Sequence, residues 1–477
     1  MSLKQIFQLK YRYLLMRKRF SLLILIFLSG VLIVSNGCKK NSLTTNGHLE
    51  FSLDTLVFDT VFTTVGSTTE QFKIYNRNTR PINIDEVELM GGSNSPFRIN
   101  LDGISAIMHE NIQLEGNDSL YMFVEVTLDV NSQNSPLIIE DSVRFRTNGL
   151  DQYVKLAVWG QDAYFYYNDT VQGTWSSDKP HVIYGYALVD SSESLTIEAG
   201  TNVHLHKNAI LYINKGSLNV NGFLDNEVVF QGDRLESLYD DVPGQYYGIY
   251  FNQAKASTID YAVIKNGTSG IHIFSSGVGP LSYAVTIRNT RIFNNARYGI
   301  FLYEGASIKG ENLLISRNGF HSLLVLNDSK FNFNHCDFLG YGSAQSPAVG
   351  IRNYLNDPNE TGDISEGVIY NSIISGNLET EIVLDTIIDF PGQLNLDFQN
   401  CFIQSAEEYQ DGFYQNIIWR IGFDNNTDPQ FNSISDLDYG FSSNSLLNGN
   451  GFATAVTTDI LGNFRNNPPD IGAIEEN

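Results

Sequence analysis

Three side chains of this 477-residue sequence have the types and spacing that acid–base chemistry asks for: Arg288, Lys309 and Glu311. Arg288 and Glu311 each stand one residue ahead of an Asn-x-x-Ile-x-x-Asn segment, and Lys309 stands two residues before Glu311. A lyase needs a base beside a charge-neutralising cation; a glycosidase needs two carboxylates roughly 5 to 10 Å apart. At the same place of successive segments the signs alternate, Asp260, Arg288, Glu311, and alternation on adjacent strands also suits cross-strand ion pairing. A second set has binding rather than catalytic character. In Gly248-Ile-Tyr-Phe251, Gly270-Ile-His-Ile273 and Gly299-Ile-Phe-Leu302, alternation turns Tyr250, His272 and Phe301 outward, with Phe274 and Tyr303 close by. Rings of this kind join apolar area to polar edges, so the strip suits a sugar ligand. It equally suits a cover, supplied by segment 275–282, by the Tyr-bearing loop before Gly248 or by the N-terminal domain.

The histidines and acidic clusters are less informative. His204 and His206 alternate on one face, with no third ligand at zinc-like spacing, so both are expected as solvent-facing polar side chains rather than metal ligands. Asp233, Glu236, Asp240 and Asp241 crowd the loop 231–245, but a hard cation takes about six to eight oxygens. The sequence thus calls for no cofactor and no metal, calcium being the one ion this loop would suit. No nucleophile elbow, phosphate loop or zinc motif is present.

The elements that must position these residues are written in the repeat itself. Asn289-x-x-Ile292-x-x-Asn295, Asn312-x-x-Ile315-x-x-Asn318 and Asn371-x-x-Ile374-x-x-Asn377 recur, with looser copies at Tyr261, His335 and Asn400. Alternating stretches precede each copy, as in Val285-Thr-Ile287-Arg-Asn289, and a second short strand follows. Two or three such strands with tight turns use about 20 to 25 residues, one lap of a narrow coil whose next lap lies about 4.8 Å higher. The expected fold is a parallel β-helix in which one strand face is core and the other solvent, and stacked Asn side chains form a hydrogen-bonded ladder. Cys336 and Cys401, separated by at least one coil, are expected as buried thiols beyond disulfide reach.

Composition and order fill in the rest. The formal charge of −23 repels nucleic acid and anionic membranes. Residues 1–38 carry six basic side chains and no acid, an apolar run over 22–34 and the ending Gly37-Cys38, which reads as a secretion signal. The ending resembles a bacterial lipobox, implying that Cys38 is lipidated. A linker over 39–50 leads to 51–163, whose short strands at roughly 8 to 15 residue intervals fit a β-sandwich. Phe58-Asp-Thr-Val61, Ile74-Tyr-Asn76, Phe97-Arg-Ile99 and Leu156-Ala-Val-Trp-Gly160 resemble Ig-like domains of the ASPM/SPD-2/Hydin type. After a connector over 164–180, the β-helix is expected to start near His181 and run to 410, closed by a C-terminal coil and cap over 411–477. Leu195-Thr-Ile-Glu-Ala-Gly-Thr201, the Gly-Ile strands and Pro469-Asp-Ile-Gly-Ala-Ile-Glu475 resemble the right-handed parallel β-helix repeat family, especially secreted, Bacteroidetes-like lipoproteins.

Together these readings describe an exported all-β protein, an Ig-like β-sandwich followed by a right-handed parallel β-helix, held to the cell envelope through a lipid anchor alone. The expected function is non-catalytic recognition of a polysaccharide or an envelope protein. The alternative, a polysaccharide lyase or glycoside hydrolase on the outer face, is implied by the resemblance only.

Overall fold

The computed structural model describes residues 42–44, 47–63, 66–129, 137–355, 361–387 and 394–476. Cys38 and the leader lie outside them. The described chain falls into two compact units.

The first unit, drawn from Ser67–Val126, Glu140–Ala157 and the chain up to Val57, is sandwich-like. One five-stranded sheet is ordered Glu50–Phe51, Glu70–Tyr75, Ser119–Val126, Phe97–Leu101, Ile104–Ser105, and the other Thr55–Phe62, Leu150–Gln161, Leu137–Thr147, Ile82–Leu89, Met108–Leu114. The expected alternation is present: Phe72 and Ile74, Met122, Val124 and Val126, Val143 and Phe145 are buried while their neighbours face out. The sheets meet through aromatic rings, Phe51 lying 4.8 Å from Phe145 and Phe72 lying 6.2 Å from it.

The second unit holds a 26-stranded sheet running from Tyr164–Thr170 to Ile418–Ile421, with parallel register wherever neighbouring coils pair. The ladder therefore starts ahead of His181: Tyr164 to Tyr167 pair with His181 to Tyr184. Their many tyrosines masked that start, because the outward rings on this first strand leave little alternation to read. Phe230, Ile264, Ile292, Ile315, Phe338, Ile374 and Ile403 form one fully buried inward column across successive coils. This is the Ile position of the repeat. On the preceding strand Gly310 faces Phe333, where a Cβ would stand 2.4 Å from the ring; the glycine makes room for the next coil's aromatic side chain.

The first repeat position explains itself through backbone conformation as well as hydrogen bonding. Tyr261, Asn289, Asn312, His335, Asn371 and Asn400 all have φ between 47° and 53°, the left-handed region that Asn tolerates better than most residues. The ladder bonds are made too: Asn312 Nδ2 donates to Asn289 Oδ1 at 2.9 Å, and Asn289 Nδ2 to Asp260 Oδ1 at 2.9 Å. At the substituted rung Asn371 Nδ2 meets His335 Nε2 at 3.1 Å. At the second position buried Asn295 donates to buried Asn318, 2.9 Å. Cys336 and Cys401 are free and buried.

The expected solvent face is not solvent throughout. Leu314, Leu339, Ile373 and Phe402 point outward yet are buried, because Tyr439, Phe441, Leu447, Ile460, Ile471 and Ala473 pack over them. The chain beyond Ile421 adds no further coil. It makes a small hairpin, Phe431–Ser433 with Asp438–Phe441, then turns back along the Asn row: Asn400 donates to Asn450 O, Asn371 to Phe452 O and Asn312 to Thr458 O. This strap ends in a buried ion pair, Arg465 Nη1 to Glu475 Oε2 at 3.1 Å.

Candidate functional site

The strands that follow each turn put the aromatic residues in register. Tyr212 pairs with Tyr250, Tyr250 with His272, His272 with Phe301, and Phe274 with Tyr303. All are half-buried. Centroids lie 5.2 Å apart for Tyr212–Tyr250, 4.5 Å for Tyr250–His272, 4.5 Å for His272–Phe301 and 5.1 Å for Phe274–Tyr303. The five rings singled out in the sequence, Tyr250, His272, Phe274, Phe301 and Tyr303, lie in this strip, and three more residues join them. Tyr212 extends the row by one coil, Tyr247 Oη lies 2.8 Å from His272 Nδ1, and Tyr298 packs 4.9 Å from Phe301. Tyr212 was legible, being the outward residue of Leu211-Tyr-Ile213; Tyr247 and Tyr298 lie at strand entries where alternation fails.

Most rings stack on one another along the helix axis, at interplanar angles of 28° to 30° for three of the four pairs. Their faces are thus largely taken by neighbours, and the row presents edges and the hydroxyls of its tyrosines. Burial pushes the His272 pKa down to about 4, so its imidazole is neutral at physiological pH, and its Nε2 has no hydrogen-bond partner. Of the expected covers, the loop before Gly248 meets the row through Tyr247, whereas segment 275–282 is fastened to Lys330. Lys330 Nζ donates to Pro280 O at 2.7 Å, and Tyr283 Oη donates to Glu366.

Arg288, Lys309 and Glu311 also stand together, in the register the repeat requires: Asp260 beside Arg288, Arg288 beside Glu311, Glu311 beside Asn334. Glu311 takes Arg288 at 3.1 Å and Lys309 at 2.7 Å. Asp260 instead accepts the Asn289 amide. Both cations are therefore spent on the one carboxylate.

Of the two histidines expected at the surface, His206 is partly exposed and His204 is not. His204 is buried, its Nδ1 2.8 Å from Gly232 O, and burial pushes its pKa down to about 4. His206 Nδ1 lies 2.7 Å from Asp233 Oδ2, and its ring packs 4.5 Å from Tyr184. With Asp233 drawn to His206, and Glu236 to Arg234 at 2.6 Å, the loop's carboxylates do not converge as a calcium site would require. Sequence distance hid this contact, since 27 residues separate the two partners.

An all-parallel solenoid whose outer face carries a ring ladder defines the class: a parallel β-helix. The family model for the right-handed β-helix region matches residues 182–338 and 247–427, together more than half of the chain, and the protein belongs to this family. No curated protein sequence matches it. Among solved structures, the catalytic unit of a GH87 α-1,3-glucanase from Streptomyces thermodiastaticus is 8% identical over 73% of this chain and 72% of that one, TM-score 0.21. A family 123 glycoside hydrolase from Clostridium perfringens is 12% identical over 24% of this chain, TM-score 0.18, and the match spans 26% of that enzyme. The PapD-like domain 7 of human CEP192 is 12% identical over 26% of this chain and 92% of its own length, TM-score 0.18. Likenesses this slight carry no argument about activity.

Proposed function

We propose that this protein recognises carbohydrate without transforming it, along the row of Tyr250, His272, Phe301 and Tyr303. The observation that supports the reading is the row itself: half-buried rings held in register on consecutive coils by parallel pairing. Aromatic edges and hydroxyls at a repeat of about 4.8 Å suit an extended glycan. The engagement of Glu311 by two cations favours binding over acid–base chemistry.

Phe301→Ala and Tyr250→Ala are expected to weaken glycan binding at least about tenfold, roughly 1.4 kcal/mol, by calorimetry against a panel of polyuronates and neutral glycans. Each variant should melt within a few degrees of the parent, since a stacked pair contributes only about 0.5–1.5 kcal/mol beyond area burial. Full binding with a clearly lowered melting temperature would make the row a structural ladder. New reducing ends or unsaturated products from the same panel would move the protein to the lyase or hydrolase class.

In this proposal the protein works outside the cytoplasm, its sandwich-like unit acting as an Ig-like spacer and Cys38 carrying a lipid. Cys38→Ser is expected to move the protein from the detergent phase to the aqueous phase on fractionation. Unchanged partitioning, with no lipid mass on the parent, would remove the anchor.

A further inference from the structure

The end of the C-terminal strap gathers four buried carboxylates, Asp337, Asp459, Asp470 and Glu475, around one guanidinium, Arg465. Each carboxylate that belongs to the strap is held by several donors. Asp459 accepts the backbone N–H groups of Leu461, Asn463 and Glu475 and the Asn463 side-chain amide. Glu475 accepts those of Asn466 and Asp470 besides Arg465 Nη1, and Asp470 those of Gly449 and Glu476. Asp337, which belongs to the coils, is served differently: among the described residues it accepts one hydrogen bond, from the Ala473 N–H at 3.0 Å. Its partners in the sheet are apolar, Leu314 on the preceding coil and Ile373 on the following one. Arg465 gives its fork to Glu475, Asn312 and Gly472. An ionised carboxylate is stabilised by two or three such donors or by an adjacent cation; with one donor in dry surroundings, the charged form is the costly one.

We propose that the strap is a proton-operated clasp, closing over the coils with Asp337 protonated and loosening when that carboxyl ionises. Burial pushes the Asp337 pKa up to about 7, against the opposing pull of the Ala473 N–H and of Arg465. In an open strap the group meets water and returns to the ordinary carboxylate value of about 4. Closure therefore takes up a proton between about pH 4 and 7; it is fully favoured below that window and weakens as the pH rises through it. Asp470, also pushed up by burial, works in the same direction. Cys336 and Tyr439, which sense the charge of Asp337, and His335, which senses that of Arg465, stay neutral there, because burial pushes the thiol and the phenol up and the imidazole down. Opening uncovers the apolar row of Leu314, Leu339, Ile373 and Phe402.

Hydrogen exchange of the full chain, read by mass spectrometry on peptides covering 459–476 and corrected for the intrinsic exchange rate, measures opening of the strap locally. From about pH 5 to 7 the opening constant is expected to rise by up to about tenfold per pH unit, the slope of one linked proton, and to level off above. Peptides around Ile292 and Ile315 should keep their protection. Asp337→Asn keeps an oxygen for the Ala473 N–H and cannot ionise, so its strap should stay closed with a profile flat within about threefold over the same range. Asp470→Asn should retain most of the slope. A flat profile in the parent overturns the proposal. So does the parent's slope persisting in Asp337→Asn, or its disappearance in Asp470→Asn. A strap open at every pH in Asp337→Asn overturns it as well, because closure would then require the ionised carboxylate and not its neutral form.

Discussion

Arg465→Ala is expected to destabilise the β-helix unit by about 3–5 kcal/mol, the cost of leaving a buried partner charge uncompensated. The side chains of Arg465 and Glu475 are 3% and 0% exposed and meet at 3.1 Å. The guanidinium does more than pair. Its Nη2 donates to Asn312 Oδ1 at 2.8 Å and to Gly472 O at 3.0 Å, tying the strap to a rung of the Asn ladder. Nearby, burial pushes Asp337 up to about 7, opposed by the Ala473 N–H and by the charge of Arg465, so loss of the cation raises that carboxyl further and favours its protonated form. Arg465→Lys keeps the charge but not the planar fork and should fall between parent and Ala. Urea unfolding gives the size of the effect, and limited proteolysis shows whether the strap detaches first. An unchanged midpoint in Arg465→Ala would mean that the strap does not stabilise the coils beneath it.

Ile315→Ala carries the next largest expectation, about 2–5 kcal/mol. Ile315 is fully buried in the inward column between Ile292 and Phe338. It also packs on the neighbouring backbone, its Cγ2 lying 2.4 Å from where a Gly299 Cβ would be. Coils in a solenoid contact only their neighbours, so the cavity has no distant element that can close it. Ile315→Val should cost only about 0.5–1.5 kcal/mol. Val263→Ala is the control for register: it precedes inward Ile264, points out and is half-buried, and should cost less than Ile315→Ala. If Val263→Ala and Ile315→Ala have equal effects, the inward column has been assigned to the wrong face.

Local physics made the solenoid legible from the sequence. Period-two alternation assigns each side chain to a face, and parallel stacking repeats that assignment at the same register, so Asp260, Arg288 and Glu311 fall in one row in the sequence as in the structure. The same reasoning aligned Tyr250, His272 and Phe301. Asn at the turn was read for its ladder bond, while its left-handed backbone became visible only with the dihedral angles.

What the tertiary structure alone decided lies where pattern and contact separate. The segment after Ile421 has no sustained period, and its partners are remote: Asn312 bonds to Thr458, 146 residues away. Nothing in Leu314, Ile373 or Phe402 says that a strap will cover them, because an outward apolar residue reads the same whether it meets solvent, ligand or chain. The contact between Ser316 and Tyr439 exists only once the terminal hairpin has closed over its coils, and the stacking angles that turn ring faces toward their neighbours depend on rotamers. Alternation fixes which face a side chain takes; only packing fixes what that face meets.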